Sequence, residues 1–478
     1  MNNAKQIRRD LISRVAKLLE DRTLVEKIDR LPLEMRPRNQ KAIRCCCHKE
    51  RAVLKYRTMA LLGFNTTDET DELMPLSEYA KQAEKRTKEQ YTPVQLTVVD
   101  EACSSCVRNN YIVSNLCRAC VARPCMYACK KDAITVTDKA FIDHDKCVNC
   151  GMCKEACPFH AIIYQPIPCE ESCPVGAIKR NENGIEYIDD SKCIYCGKCM
   201  VACPFGAIME KSFLVEIINS IKEGKKVVAM VAPALAGQFQ VDMGRMITAI
   251  KELGFYDVIE VARGANETTR DEAKEFLERM EDGEPFMTTS CCPAWVNLVN
   301  KHMPEMKPFV SDTPSPMVYT ARYVKANMPD AVTVFVAPCV GKRSEVYRTP
   351  EVDYVVSFEE IGSWFMAKNI DVMKCEPTEL DSSINSDGRR FAYTNGVMQS
   401  VKNYVEHPEA IKDIVISGLD KATIRTLKGY VKSCPGNFVE VMSCAGGCVN
   451  GCDVIANPRV ATRQVDNFAK SMEEEKKD

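Results

Sequence analysis

Cysteine spacing constrains this chain more than any other feature. Of its 478 residues, 27 are cysteine, and some of these stand in two copies of one pattern. Cys147, Cys150, Cys153 and Cys157 followed by Pro158 spell C-x2-C-x2-C-x3-C-P. Cys193, Cys196, Cys199 and Cys203 followed by Pro204 repeat it. In a tight loop of this spacing three thiolates cap three corners of one iron–sulphur cube, while the fourth points across to a partner cube. That rule gives one cube to Cys147, Cys150, Cys153 and Cys203, and another to Cys193, Cys196, Cys199 and Cys157. Structural zinc needs no such crossing. The competing use of so many thiols is a secreted disulfide framework, but the chain opens MNNAKQIRRDLISRVAKLLE without an apolar signal core. The expectation is a cytoplasmic protein with reduced thiols that serve as ligands or catalysts.

Around this cysteine-rich stretch the chain divides into an expected N-terminal region at 1–100, a cluster region at 101–210, a catalytic domain at 211–460 and a tail at 461–478. The first region reads as mainly helical and of unknown role, broken near Pro32 and Pro37. Ile7, Leu11, Val15 and Leu18 fall at helical spacing and predict an amphipathic surface helix; Asp10 and Glu20 argue against a targeting peptide. Cys45, Cys46 and Cys47 read as spare thiols. The formal net charge of −2 offers no electrostatic case for nucleic acid or a membrane surface. No apolar run reaches the roughly 18 residues that span a bilayer. The tail, ending EEEKKD, is expected to be frayed or disordered.

The cluster region holds sixteen cysteines and an echo of the main motif. RPCMYACKKDAI carries Cys125 and Cys129, and IPCEESCPVGAI carries Cys169 and Cys173. Cys117, Cys120, Cys125 and Cys129 form a half-module with a widened central gap. The half around Cys169 and Cys173 lacks a leading C-x2-C, which Cys103 and Cys106 can supply. Four half-modules in a row resemble a duplicated bacterial ferredoxin of α+β type. Between two and four 4Fe-4S clusters follow, and spacing alone does not say which thiol joins which additional cube.

From residue 226 onward short β-rich runs alternate with amphipathic stretches. VVAMV, DVIEVA, VTVFVAP, VDYVVS, DIVISG and FVEVM read as buried strands, with helical patterns such as GRMITAIKELG between them. That rhythm predicts an α/β domain with largely parallel sheets. Three cysteine motifs follow predicted strands: Thr289-Ser290-Cys291-Cys292-Pro293-Ala294-Trp295, Ala337-Pro338-Cys339-Val340-Gly341-Lys342-Arg343-Ser344-Glu345, and Glu440-Val441-Met442-Ser443-Cys444-Ala445-Gly446-Gly447-Cys448. Carboxyl ends of strands are where open α/β sheets gather ligands, so the three can meet at one site. Gly446 and Gly447 suit a backbone passing close to a bulky group.

These three loops, in this order and behind paired ferredoxin motifs, resemble the signature of FeFe-hydrogenases over roughly residues 140 to 460. The resemblance implies an anaerobic enzyme that interconverts protons and H2 at an H-cluster, a 4Fe-4S cube bridged to a di-iron unit carrying CO, cyanide and a dithiolate. It further implies that Cys292, Cys339, Cys444 and Cys448 hold the cube, Cys448 also bridging to the di-iron unit. Cys291 would be the free thiol that passes protons, and Lys342 would hydrogen-bond a cyanide. Two neighbouring cysteines cannot both reach one cube corner, which agrees with separate roles for Cys291 and Cys292. A thiol beside a metal, its pKa lowered, is an expected proton donor. The family's proton relay would map to Glu272, Glu275 and Ser311; the two glutamates share a helix face at i, i+3.

The chain departs from the family's pattern at Ala337, where Met is usual, at Ala294, and at Val449-Asn450-Gly451-Cys452, where glycines are usual. The 2Fe-2S domain usual at the family's N-terminus is not expected here. With no G-x-G-x-x-G after a strand, the expected electron partner is a soluble ferredoxin, and maturation proteins must supply the di-iron unit. Two other readings remain: a hydrogen sensor of low turnover, and a non-enzymatic hydrogenase-like assembly protein. The latter needs neither a proton-passing thiol nor a cyanide-binding lysine. Cys375 and Cys434 are expected to be structural, and the histidines form no ligand pattern.

Overall fold

Leu11, Ile12, Val15 and Ala16 lie on one face of the helix Asn3–Glu20 and are fully buried in the computed structural model, which describes residues 3–103, 106 and 110–474. The expected surface helix is therefore a core element. Even its Arg8 is only 9% exposed, because the helix packs against Phe358–Lys368 and the guanidinium enters a buried ionic network. Helices Leu24–Lys27, Leu31–Met35, Cys47–Leu61 and Leu76–Lys85 follow in the N-terminal region; the second of these ends just before Pro37, as a proline that cannot continue a helix requires. One apolar core runs without a break from Leu11 to Val465.

Eight short strands follow: β1 (Leu96–Val98), β2 (Tyr111–Val113), β3 (Ile134–Val136), β4 (Ala140–Ile142), β5 (Ile162–Tyr164), β6 (Ile178–Arg180), β7 (Glu186–Ile188) and β8 (Ile208–Glu210). All pair antiparallel, as β1–β8, β2–β5, β3–β4 and β6–β7. The pairing nests one unit inside another. Strands β2 to β5 close a unit over 111–164, and β1 with β6 to β8 closes a second unit around it.

The remaining strands are β9 (Val227–Val231), β10 (Asp257–Glu260), β11 (Met287–Thr288), β12 (Val332–Ala337), β13 (Tyr354–Ser357), β14 (Asp413–Ser417) and β15 (Phe438–Met442). They form two wholly parallel sheets, ordered β10-β9-β12-β13 and β11-β15-β14. Every residue of β9 and of β15 is buried, which explains their continuous apolar runs. The tail differs from expectation. Pro458–Glu474 is a helix whose Ala461, Val465 and Ala469 are fully buried, because three small or branched residues at helical spacing seal the segment 233–237. Residues 475–478, the end of the expected frayed tail, lie outside the described residues. Among the described residues no helix is long and apolar enough to cross a membrane.

Candidate functional site

Four half-modules repeat the same backbone. The second residue between the first two thiols is left-handed in each complete motif, at Ala119, Asn149 and Tyr195. So is the third residue after each final thiol, at Asp132, His160, Gly176 and Gly206. These positive φ values, costly for the non-glycine residues, curl the chain around a common centre. Backbone N–H groups then point at sulphur. Ala133 donates to Cys129 at 3.4 Å, Ala177 to Cys173 at 3.2 Å and Ala207 to Cys203 at 3.4 Å. Ala140 of β4 donates to Cys117, and Glu186 of β7 donates to Cys103, each at 3.3 Å. Cys103 thus stands in the outer unit where Cys117 stands in the inner one.

The thiols gather differently from the crossing expected of the two strongest motifs. Cys157 lines a small cavity with Cys117, Cys120 and Cys125. Cys173 lines another with Cys193, Cys196 and Cys199. Cys169 is pushed up to about 12 by burial, by Glu186, and by the neighbouring Cys203, Cys106 and Cys103. Cys203 thus lies near these thiols, and among the described residues neither Cys157 nor Cys203 lines a cavity with the three leading thiols of the other motif. The nesting accounts for this: each motif finds its partner half inside its own unit, and Cys129, Cys147 and Cys153 share one apolar core with Cys117 and Cys125 of the inner unit.

The three signature loops do converge. Cys291 and Cys292 follow β11, Cys339 and Lys342 follow β12, and Cys444 and Cys448 follow β15, so both sheets aim their carboxyl ends at one cavity that all six residues line. It holds about 890 Å³ of empty space out to its mouth, and the rest of its wall is mostly apolar. Gly447, at φ +93°, has no room for a side chain: a Cβ would sit 2.5 Å from Tyr393 Cα. A Cβ on Gly451 would sit 2.2 Å from the Pro338 carbonyl oxygen. Among the described residues no three His, Cys, Asp or Glu side chains converge as they would around a single metal ion. The thiols ring a space instead, as a multi-atom cofactor requires. Burial pushes Cys448 up to about 12 and Cys444 well above the ordinary thiol value, so these sulphurs ionise only against a strong cationic centre. The donor set and the space fit an iron–sulphur cofactor.

At Cys291 burial, then the charge of Glu272 and the neighbouring thiols, raise the pKa well above the ordinary value, which favours the neutral thiol. Lys342 is fixed by Glu345 at 2.7 Å and by the Ser315 hydroxyl at 3.1 Å. Glu272 is fully buried, and neither of its carboxylate oxygens finds a hydrogen-bond partner among the described residues. Burial, then the charge of Glu275, push it up to about 8. Glu275 also loses solvent, yet it is held below the ordinary carboxylate value. The Ser311 hydroxyl donates to it at 2.6 Å, the Thr313 hydroxyl at 2.7 Å and the Asp312 amide at 2.8 Å, and Arg279 pairs with it at 2.7 Å. Arg279 also meets Asp312, whose side chain is 97% exposed, so this line of polar groups ends at solvent.

Sequence reasoning missed two features. Glu440, in the apolar run FVEVM, accepts the amides of Asn395 and Met398 and is raised to about 7 by burial; a charge inside a buried strand was the available signal. Behind the second loop Arg343 pairs with Glu210 at 3.1 Å and Glu360 at 2.5 Å. Arg8 meets Glu210, Glu359 and Asp453 in the same network. Cys452, where a glycine was usual, presses on Gly197, accepts the Val340 amide at 3.4 Å and donates to Asp453. Tyr195 and Cys196 line the main cavity, and Cys196 also lines the neighbouring thiol cavity. Cys45 is exposed, Cys46 and Cys47 half-buried; Cys375 is buried and Cys434 half-buried.

Residues 225–452 match the family model for the C-terminal domain of the iron-only hydrogenase large subunit, and 140–163 and 186–209 match the 4Fe-4S binding domain. Iron hydrogenase 1 of Clostridium pasteurianum is 28% identical over 301 residues, 51% of this chain and 52% of that protein. The periplasmic [Fe] hydrogenase large subunit of Nitratidesulfovibrio vulgaris is 28% identical over 370 residues, 65% of this chain and 85% of that one. Cytosolic iron-sulfur assembly component 3 of Rattus norvegicus is 24% identical over 305 residues, 50% of this chain and 64% of that one. The match thus spans about half the length of the Clostridium protein. An apo [FeFe]-hydrogenase structure from Chlamydomonas reinhardtii overlays 51% of this chain and 84% of its own at 20% identity, with a TM-score of 0.41.

Proposed function

We propose that this chain, an [FeFe]-hydrogenase-like iron–sulphur protein, interconverts protons and hydrogen, 2H⁺ + 2e⁻ ⇌ H2, with ferredoxin-type electron exchange. One observation carries the reading. Loops from two different sheets bring Cys291, Cys292, Cys339, Cys444, Cys448 and Lys342 to a single cavity that shares Cys196 with a second thiol site. In this reading Cys292, Cys339, Cys444 and Cys448 hold an H-cluster cube, and the nested units are ferredoxin-like carriers of four further 4Fe-4S clusters. The bound H-cluster supplies the redox centre at which protons and H2 exchange.

The chain's own residues do the rest. Apolar walls and the closed glycine loops exclude water. The neutral Cys291 thiol presents a proton beside the cavity, and Lys342, anchored by Glu345 and Ser315, places a fixed positive charge there. Glu272, its carboxyl titrating near neutrality, hands protons between Cys291 and the Ser311–Glu275 pair, whose Arg279 side reaches solvent. Relatives that serve in iron–sulphur assembly make a non-catalytic cluster carrier the second reading. The gathering of Cys291 and Lys342 at the cavity weighs against it, since a carrier needs neither. Isotope exchange between D2 and water, catalysed by the matured chain, tests the proposal; protein with full iron content but no exchange contradicts it.

A further inference from the structure

Between the N-terminal region and the turn that follows Cys203 lies a second large pocket, an open cleft with about 910 Å³ of empty space out to its mouth. Arg36, Arg44, Lys49 and Arg57 line it against a single carboxylate, Glu50. That carboxylate is already engaged: Arg36 pairs with it at 3.2 Å, and the amides of Ile43 and Arg44 donate to it at 2.7 and 2.9 Å. Arg44 and Arg57 have no carboxylate partner among the described residues. Each spends one guanidinium nitrogen on carbonyls of the Cys203 turn, at Phe205 for Arg44 and at Phe205 and Gly206 for Arg57. Arg57 is 2% exposed, and its Nε–H finds no acceptor. Burial and the charges of Arg44 and Arg8 pull it down to about 10, against a smaller opposing effect of Cys203.

A buried guanidinium without a carboxylate partner, as at Arg57, is costly unless an anion meets it. The forked N–H groups of arginine match phosphate oxygens in pairs, which a lone ammonium does not. The space exceeds what an inorganic ion fills, and Ile7, Val53 and Leu54 give it an apolar wall. We propose that this pocket is a binding site for a phosphorylated small molecule of nucleotide size, its phosphates on Arg44 and Arg57 and its apolar part against that wall. The site is separate from the thiol cavity and does not depend on the hydrogenase reading.

Titration calorimetry of the anaerobically purified full chain with ADP, pyrophosphate and orthophosphate, and with citrate as a carboxylate control, tests it at constant ionic strength. Saturable binding of ADP is expected, weakened at least about tenfold by Arg44→Ala and by Arg57→Met, with citrate binding far more weakly. Should Arg57→Met fail to fold, the half-buried Arg44 decides alone. No saturable binding of any phosphate probe, ADP binding unchanged by Arg44→Ala, or citrate binding as tightly as ADP overturns the proposal.

Discussion

Glu272 and Glu275 stand one helical turn apart and are shifted in opposite directions by what faces them. Glu275 has four hydrogen-bond donors and Arg279, whereas Glu272 has burial and a like charge. The raised carboxyl keeps a proton that the unfolded chain has already released, so its contribution to stability is full below the ordinary carboxylate range and is lost as pH rises through about 8. Glu272→Gln should therefore gain thermal stability relative to the parent as pH increases from about 5 to 9. A difference in melting temperature that stays constant over that range would show that Glu272 is not held protonated. The same variant should lower hydrogen turnover at least about tenfold at unchanged iron content. Cys291→Ser should lower it by about a hundredfold or more, again with iron retained, whereas Cys292→Ser should lose iron. The adjacent thiols and the i, i+3 glutamates were legible in sequence because both are local patterns. The donors that set Glu275 apart were not, since they come from a loop 36 to 38 residues away.

Among the elements, the strands were legible because most are short apolar runs, and each signature loop follows one directly; DIVISG, read as a buried strand, is instead an edge strand of which only Ile416 is buried. Thiol pairing was misread because the spacing rule assumes that two neighbouring motifs share one unit. Here a whole unit is inserted between Cys103 and the rest of its own unit, as the β1–β8 and β2–β5 pairings show. The consequence is testable by electron paramagnetic resonance of reduced protein. Cys157→Ser and Cys125→Ser should alter the same cluster signal, and Cys199→Ser a different one. Cys157→Ser and Cys199→Ser acting on one shared signal would restore the simpler crossing. In the third loop Gly447→Ala combines a left-handed φ with a backbone clash, a strain of order 1–3 kcal/mol before any steric term. It should cost iron at the main cavity while the other clusters stay, as iron per chain and their spectra would report.

Across the whole molecule, the first hundred residues carried no motif to interpret, yet they complete the support behind the second loop. Arg8 pairs with Glu210 and Glu359 and meets Asp453, whose pKa burial and Glu210 raise well above the ordinary carboxylate value, inside a network that also holds Arg343, the residue after Lys342. Removing one member of such a buried set leaves carboxylates unpaired, so Arg8→Met should destabilise the chain by roughly 3–5 kcal/mol in denaturant unfolding. A loss under about 1 kcal/mol would mean that the N-terminal helix merely covers the network. No periodicity announced this, because a charge on an amphipathic helix reads as solvated until its partners, hundreds of residues away, are in place. The central claim concerns what the convergent thiols hold. An infrared spectrum of the anaerobically matured chain should show stretching bands of metal-bound CO and cyanide together with hydrogen uptake. A chain loaded with its 4Fe-4S clusters that shows neither bands nor uptake would contradict the account.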